Sequence, residues 1–189
     1  MIYFTSDTHF NHDSIRKHCN RPWDSVEEMD KALIDNWNKC INPGDTVYHL
    51  GDFAFGGHEI VKNYRNKLNG KVHLILGNHD YRNRIHNIED LFSSTNNMLT
   101  LKYNHEKIVL CHYPMRSWDS SCHGSYQLHG HSHGLIEPIG KQMDVGVDAN
   151  GYMPLSITQV MQKLLITGNK NEDEREKDEN ITCRTKLQD

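Results

Sequence analysis

The 189-residue sequence contains no run of about eighteen apolar residues, the minimum for a membrane-spanning helix, and its mean hydropathy is −0.75. The opening stretch MIYFTSDTHF lacks the basic segment and long apolar core of a secretory signal. No C-x-x-C pair occurs either. The five cysteines, Cys19, Cys40, Cys111, Cys122 and Cys183, are odd in number and scattered, which argues against a disulfide framework and against a thiolate zinc knuckle. A soluble protein of the reducing cytoplasm is the expectation. Positive charge is not in excess: formal net charge is −4 and the isoelectric point is about 6.4. The molecule as a whole therefore offers no electropositive face to nucleic acid or anionic lipid, and neither is an expected partner. Internal repeats are absent, and the length suits one compact domain.

Histidine is abundant, with fourteen in the chain, and it falls into a regular background. MIYFTSD reads as an opening strand. SVEEMDKALIDNWNKCI reads as a helix, with Val26, Met29, Leu33, Trp37 and Ile41 at helical spacing, Ser25 as N-cap and Glu28 completing a capping box. DTVYHLGD is a second strand, HEIVKNYRNKLNG a helix closed by Gly70, and KVHLILGNHD a third strand. The first eighty residues are thus β-α-β-α-β. NNMLTLKYNHEKIVLCHYP follows as two strands around a polar turn, then strand-like SYQLHGHSHG and GKQMDVGVDANG, and a last helix in PLSITQVMQKLLI capped by Ser156. This pattern predicts a β core with helices outside over residues 1–167. Residues 168–189 are almost wholly polar and are expected to be a charged, mobile tail.

Five of the strand-like runs end in residues able to bind metal. IYFTSDTH ends in Asp7 and His9, VYHLGD in Asp52, HLILGNHD in Asn78, His79 and Asp80, KIVLCH in His112, and YQLHGHSH in His131 and His133. In layered α/β folds the carboxyl ends of strands are where side chains converge on ligands. Asp7 and His9, like His131 and His133, stand two residues apart, a spacing that puts both side chains on one side of an extended chain. Carboxylate, amide and imidazole without thiolate suit Mn²⁺, Fe²⁺, Zn²⁺, Co²⁺ or Ni²⁺. About seven ligands exceed the needs of one tetrahedral ion and fit two ions roughly 3.5–4 Å apart that share a carboxylate. Gly51, Gly77, Gly130 and Gly134 beside them allow close backbone approach.

The ordered set Asp-x-His, Gly-Asp, Gly-Asn-His-Asp, His, Gly-His-x-His resembles the calcineurin-like metallophosphoesterase superfamily over about residues 1–155. DTHFNH followed by RPW is similar to its small bacterial and phage-type members, although Asn11 stands where such relatives often carry glycine. The resemblance implies a four-layer αββα sandwich of two mixed sheets flanked by helices, with a dinuclear site at the strand ends. It assigns Asp7, His9 and His133 to one divalent ion, Asn78, His112 and His131 to a second, and Asp52 to both. It further implies hydrolysis of a phosphate ester by attack of a metal-bridging hydroxide, with His79 assisting the leaving oxygen and Asp80 orienting the His79 ring or raising its pKa. His12 is a further candidate for contact with the phosphate or the leaving group.

Arg82 and Arg116, with Arg16, Arg21 and Arg84, are candidates to clamp a substrate phosphate. Trp23, Tyr81, Tyr113 and Trp118 either cover the sheet edge or stack on a base, and coverage is the simpler reading. The remaining histidines, His18, His49, His58, His73, His86, His105, His123 and His129, are expected to be structural. Protein phosphatases of the superfamily carry Gly-Asp-x-x-Asp-Arg-Gly and Arg-Gly-Asn-His-Glu, where this chain reads GDFAFGG and LGNHD. The missing arginines disfavour a phosphoprotein substrate. A small phosphodiester, such as a nucleotide or cyclic nucleotide, is the expected substrate and Mn²⁺ the ion expected to serve in vitro. A phosphomonoesterase, or a non-catalytic metal-binding scaffold of the same fold, is the alternative.

Overall fold

The structure, a computed structural model, describes residues 1–83 and 88–166, residues 81–83 by backbone alone. Arg84, His86, the side chains of Tyr81 and Arg82, Cys183 and the 168–189 segment therefore lie outside the described residues.

Strands β1 (Ile2–Thr5), β2 (Thr46–His49) and β3 (Lys71–Ile75) pair in parallel. Helix α1 (Asp13–His18) and the longer α2 (Val26–Cys40) connect β1 to β2, and α3 (His58–Arg65) connects β2 to β3. Ser25 caps α2 as its side chain suggests, its Oγ accepting from Glu28 N at 3.2 Å. Glu28 reaches back to Asp24 N at 3.1 Å, one residue earlier than the usual box. The apolar stripe Met29, Leu33 and Trp37 is buried, as is Ile41 just beyond the helix. Helix α3 stops at Arg65, sooner than Gly70 implied, and a turn carries the chain to that glycine.

After α4 (Asn78–Asn83), β4 (Ser94–Asn96) pairs parallel to β3, while β9 (Leu155–Ser156) pairs antiparallel to β1, giving the order β4-β3-β2-β1-β9. Neither edge strand was readable from pattern, since one is Ser-Thr-Asn and the other is two residues long. The second sheet is β5 (Met98–Tyr103), β6 (Glu106–Cys111), β7 (Tyr126–His129) and β8 (Gln142–Asp144), in that order. β5 and β6 form a hairpin through Asn104 and His105, both left-handed, which matches the twist of the strands. β6-β7 and β7-β8 are parallel, so both sheets are mixed.

Strand alternation builds the layers. Val47, Val72 and Leu74 turn outward onto Met29, Leu33 and Trp37. Phe4 and Ile75 turn inward onto Ile108, Leu110 and Leu128 of the second sheet. Burying each such side chain stabilises by about 1.5–3 kcal/mol. Helix α5 (157–166) adds Ile157, Val160 and Leu164 to the same inner core. Ser156 Oγ accepts from Gln159 N at 3.3 Å while Gln159 Oε1 accepts from Ser156 N at 2.8 Å, a reciprocal cap. The result is two mixed sheets face to face with helices outside, the αββα order expected. The far side of the smaller sheet carries buried Val109, Gln127 and His129; Gln127 donates to Tyr113 O at 3.2 Å and accepts from Met115 N at 3.4 Å, which pins the following segment over it.

Three strand histidines serve packing. His73 stacks on Tyr48 and meets Ser94 Oγ at 2.8 Å. His129 Nδ1 meets Gly130 O at 2.9 Å. His49 is fully buried, meets Thr8 Oγ1 at 2.9 Å and leaves Nδ1 without a hydrogen-bond partner. Burial, helped by the nearby His112, pushes its pKa down to about 3. Between about 6.5, the ordinary value, and that figure, the unfolded chain binds a proton that the folded chain refuses. Stability therefore falls as pH drops through this window, by about 2 kcal/mol at pH 5 from this group. Urea midpoints from pH 7 to pH 4 should fall more steeply for the wild type than for His49→Gln, and parallel slopes would remove His49 from the acid limb.

Candidate metal centre

Each expected ligand follows the end of a strand, but the chain does not stay extended there. Asp7, His9, Asp52, His131 and His133, five of the seven, sit at φ values of 57, 49, 56, 66 and 48°. Left-handed backbone is costly for such residues and is kept where surrounding contacts enforce it. Those contacts are present: Asp7 N donates to Gly51 O at 2.9 Å, His9 N to Asp52 O at 3.0 Å, and His131 N to Asp7 Oδ2 at 2.9 Å. The i, i+2 pairs thus converge through tight left-handed turns and not through the pleat of a strand. Asn11 is also left-handed at φ 62°, a conformation asparagine tolerates; its Nδ2 donates to Phe55 O at 2.9 Å. Two glycines are needed for space. A Cβ at Gly77 would strike Asp52 Oδ1, and one at Gly130 would strike Ser6 Oγ and Asp7 Oδ2.

Among the described residues donor atoms gather in four overlapping groups, and two of these consist of expected ligands. Asp7, His9 and His133 place theirs within 4.8 Å of one another, and so do Asp52, His112 and His131. Asn78 Oδ1 lies 3.2 Å from His112 Nε2. Asp52 links the groups: its Oδ2 is 3.5 Å from both His9 Nε2 and His112 Nε2, while its Oδ1 accepts from His79 N at 2.9 Å.

Ring orientation is set from outside. His112 Nδ1 donates to Leu50 O at 2.7 Å, His133 Nδ1 meets Asp148 Oδ2 at 2.6 Å, and His9 Nδ1 meets His12 Nδ1 at 3.1 Å. All three rings therefore turn Nε2 inward, the arrangement metal-binding histidines adopt. Dehydration dominates the electrostatics. Burial raises the Asp7 pKa well above the carboxylate range and drives His9 well below the imidazole range, and it lowers His112 as well. His133 goes the other way, up to about 10: burial pulls it down, but the bond to Asp148, then Cys19 and the Asp7 charge, outweigh that.

Asp80 does not hold the His79 ring. It is fully buried, and its oxygens accept backbone N–H from Asp52 at 2.7 Å, Gly77 at 2.9 Å and Phe53 at 3.0 Å, fastening the second and third loops together. Burial and the neighbouring Asp52 charge push its pKa up to about 7 against the pull of those amides. His79 Nδ1 is buried without a hydrogen-bond partner, and its Nε2 lies 4.0 Å from Asp52 Oδ2. His12 packs between His9 and Phe55, its Nε2 on Ser14 Oγ at 2.9 Å.

The arginines are elsewhere or occupied. Arg116 is exposed and lines a groove with Trp118, Ser121, Cys122, Ile139 and Lys141, none of them in the donor groups. Arg16 pairs with Asp13 at 2.6 Å and donates to Trp23 O at 2.8 Å. Arg21 is buried: Nε and Nη2 bond Asp148 at 2.8 Å, Nη2 also reaches Asp7 O, and Nη1 reaches Thr8 O and Met29 Sδ. It is a brace for the first loop and not a phosphate clamp. Asp148 was missed by sequence reasoning, because its partners His133 and Arg21 are 15 and 127 residues away. Trp118 is buried with Nε1 on Ser125 O at 3.2 Å, and Trp23 packs edge-on against Tyr152, as coverage required. Tyr113 differs, with its ring centroid 4.9 Å from His112 and 4.8 Å from His131.

Among the described residues no helix is long and apolar enough to cross a membrane. The sequence profile of the calcineurin-like phosphoesterase superfamily domain matches residues 1–142. The chain is similar to an uncharacterized protein of Methanocaldococcus jannaschii, 35% identical over 170 residues, covering 85% of this chain and 89% of the relative. Its fold is like that of a protein of unknown function from Aquifex aeolicus, at TM-score 0.71 and 24% identity, over 86% of this chain and 98% of that one. A solved archaeal phosphodiesterase is more distant, at TM-score 0.44 and 18% identity over 77% of this chain and 81% of that one. With the motif order, the paired sheets and the profile in agreement, the chain belongs to the calcineurin-like phosphoesterase superfamily, the hydrolases of phosphate esters.

Proposed function

We propose that the protein is a two-metal phosphodiesterase acting on a small diester. The observation that carries this reading is the position of Asp52 Oδ2, 3.5 Å from an inward-facing imidazole nitrogen of each donor group. The residues fit divalent ions: His9 Nε2 is buried with no hydrogen-bond partner, and Asp52 Oδ2 stands off from it at 3.5 Å. Asp7, His9 and His133 would hold one ion, Asn78, His112 and His131 the second, with Asp52 shared. Such ions supply a nucleophile at neutral pH by lowering the pKa of bound water, and they stabilise charge on the phosphoryl oxygens.

The protein's own groups do the rest. His79, a quarter exposed at the edge of the cluster, would give a proton to the leaving oxygen. His12, with one ring nitrogen on His9 and the other on Ser14, orients His9. Arg21 has all five donors engaged, so it is not itself available to a phosphoryl group. The free state of Cys19, Cys40, Cys111 and Cys122 supports a cytoplasmic setting.

The test uses chelator-stripped protein with and without added Mn²⁺ on bis-p-nitrophenyl phosphate and p-nitrophenyl phosphate. Turnover should require metal and favour the diester. Equal rates with chelator present, or a preference for the monoester, would overturn the reading.

A further inference from the structure

Two large aromatic side chains stand exposed against the rings of the candidate centre. Phe55 is 43% exposed, although one face lies flat on His12 at 4.5 Å and an interplanar angle of 11°. Its ring centroid is also 6.3 Å from that of His79. Tyr113 is 41% exposed and meets His112 and His131 edge-on. Both backbones are held: Phe55 N donates to Phe10 O at 2.8 Å and Phe55 O accepts from Asn11, while Tyr113 O accepts from Gln127. Exposed aromatic rings on fixed backbone, placed at a site for a polar reaction, are what stacking on a planar ligand group requires. They are not needed for metal binding, and removal from water would favour them more than exposure does.

We infer that Phe55 and Tyr113 form an aromatic clamp that selects diesters bearing planar aromatic groups, nucleotide diesters among them. This rests on the phosphodiesterase reading above. Phe55 stands beside His79, the group placed at the leaving oxygen, so it stacks on the leaving alcohol's ring. Tyr113 lies against the other donor group and stacks on the substituent that stays on phosphorus.

The experiment compares thymidine 5′-(p-nitrophenyl phosphate) with methyl p-nitrophenyl phosphate in the Mn²⁺-loaded protein. The two share a leaving group and differ only in the retained substituent. The wild type should show a KM about five- to tenfold lower for the thymidine ester, from the usual worth of one stacked base. Tyr113→Leu should erase that difference and Tyr113→Phe restore it. Phe55→Leu should raise KM for both esters by a similar factor and leave their ratio intact, with kcat little changed. Equal KM values in the wild type, or a preference that survives Tyr113→Leu, would overturn the clamp while the phosphodiesterase stands. Hydrolysis of p-nitrophenyl phosphate with neither diester cleaved would overturn both.

Discussion

Asp52→Asn should lower metal-dependent turnover on the order of a thousandfold or more, since it removes the one carboxylate common to both donor groups. The fold should survive. Asp52 Oδ1 accepts from His79 N, a role the amide oxygen of asparagine keeps. The amide nitrogen would then face the His9 and His112 Nε2 atoms, and an N–H donor is welcome between two neutral imidazoles in the metal-free protein. Thermal unfolding separates the two effects. With chelator, the variant should melt at or above the wild-type temperature, because a buried charge has been removed. With Mn²⁺ at about a hundred times its dissociation constant, binding should stabilise the wild type by about 2.7 kcal/mol, a rise of roughly 5–10 °C, and the variant far less. Full activity in Asp52→Asn would refute the shared-carboxylate assignment.

Asp148→Ala should cost more in stability than any other single change near the site. The Arg21 side chain is wholly buried, and Asp148 is its countercharge through two hydrogen bonds. Leaving a buried guanidinium against only backbone carbonyls and a thioether costs about 3–5 kcal/mol. The same change removes the Asp148 carboxylate from His133 Nδ1, and loss of such an outer partner typically weakens metal binding about 10–100-fold. Pairing Asp148→Ala with Arg21→Met distinguishes the roles. Urea unfolding should show most of the stability restored, while calorimetric metal titration should show the affinity still low. Recovery of both together would mean that His133 does not depend on Asp148 for its orientation.

Elements governed by short-range rules were legible in advance. The α2 cap and stripe, the Asn104-His105 hairpin and the Ser156-Gln159 cap all depend on residues within a few positions of one another. The edge strands β4 and β9 were not, because their pairing comes from the neighbour and not from their own alternation. The same division runs through the candidate site. The order of motifs named every residue that now meets in the two donor groups, yet it implied an extended-chain geometry where the backbone is left-handed. Asp80 shows the limit well: the resemblance implied that it orients the His79 ring or raises its pKa, whereas helix α4 turns its carboxylate back onto the amides of Asp52, Phe53 and Gly77.

By itself the sequence determined which chemistry is available: carboxylates, an amide and imidazoles at successive strand ends, without thiolate partners or a basic face. Only the tertiary structure decided how each group is used. It turned three histidines Nε2-inward, engaged every donor of Arg21, recruited Asp148 from across the chain, and left Phe55 and Tyr113 exposed at the cluster. The reason is physical. Residue type and local spacing set what a side chain can donate or accept, whereas the partner that consumes or spares that capacity arrives through packing between segments far apart in the chain.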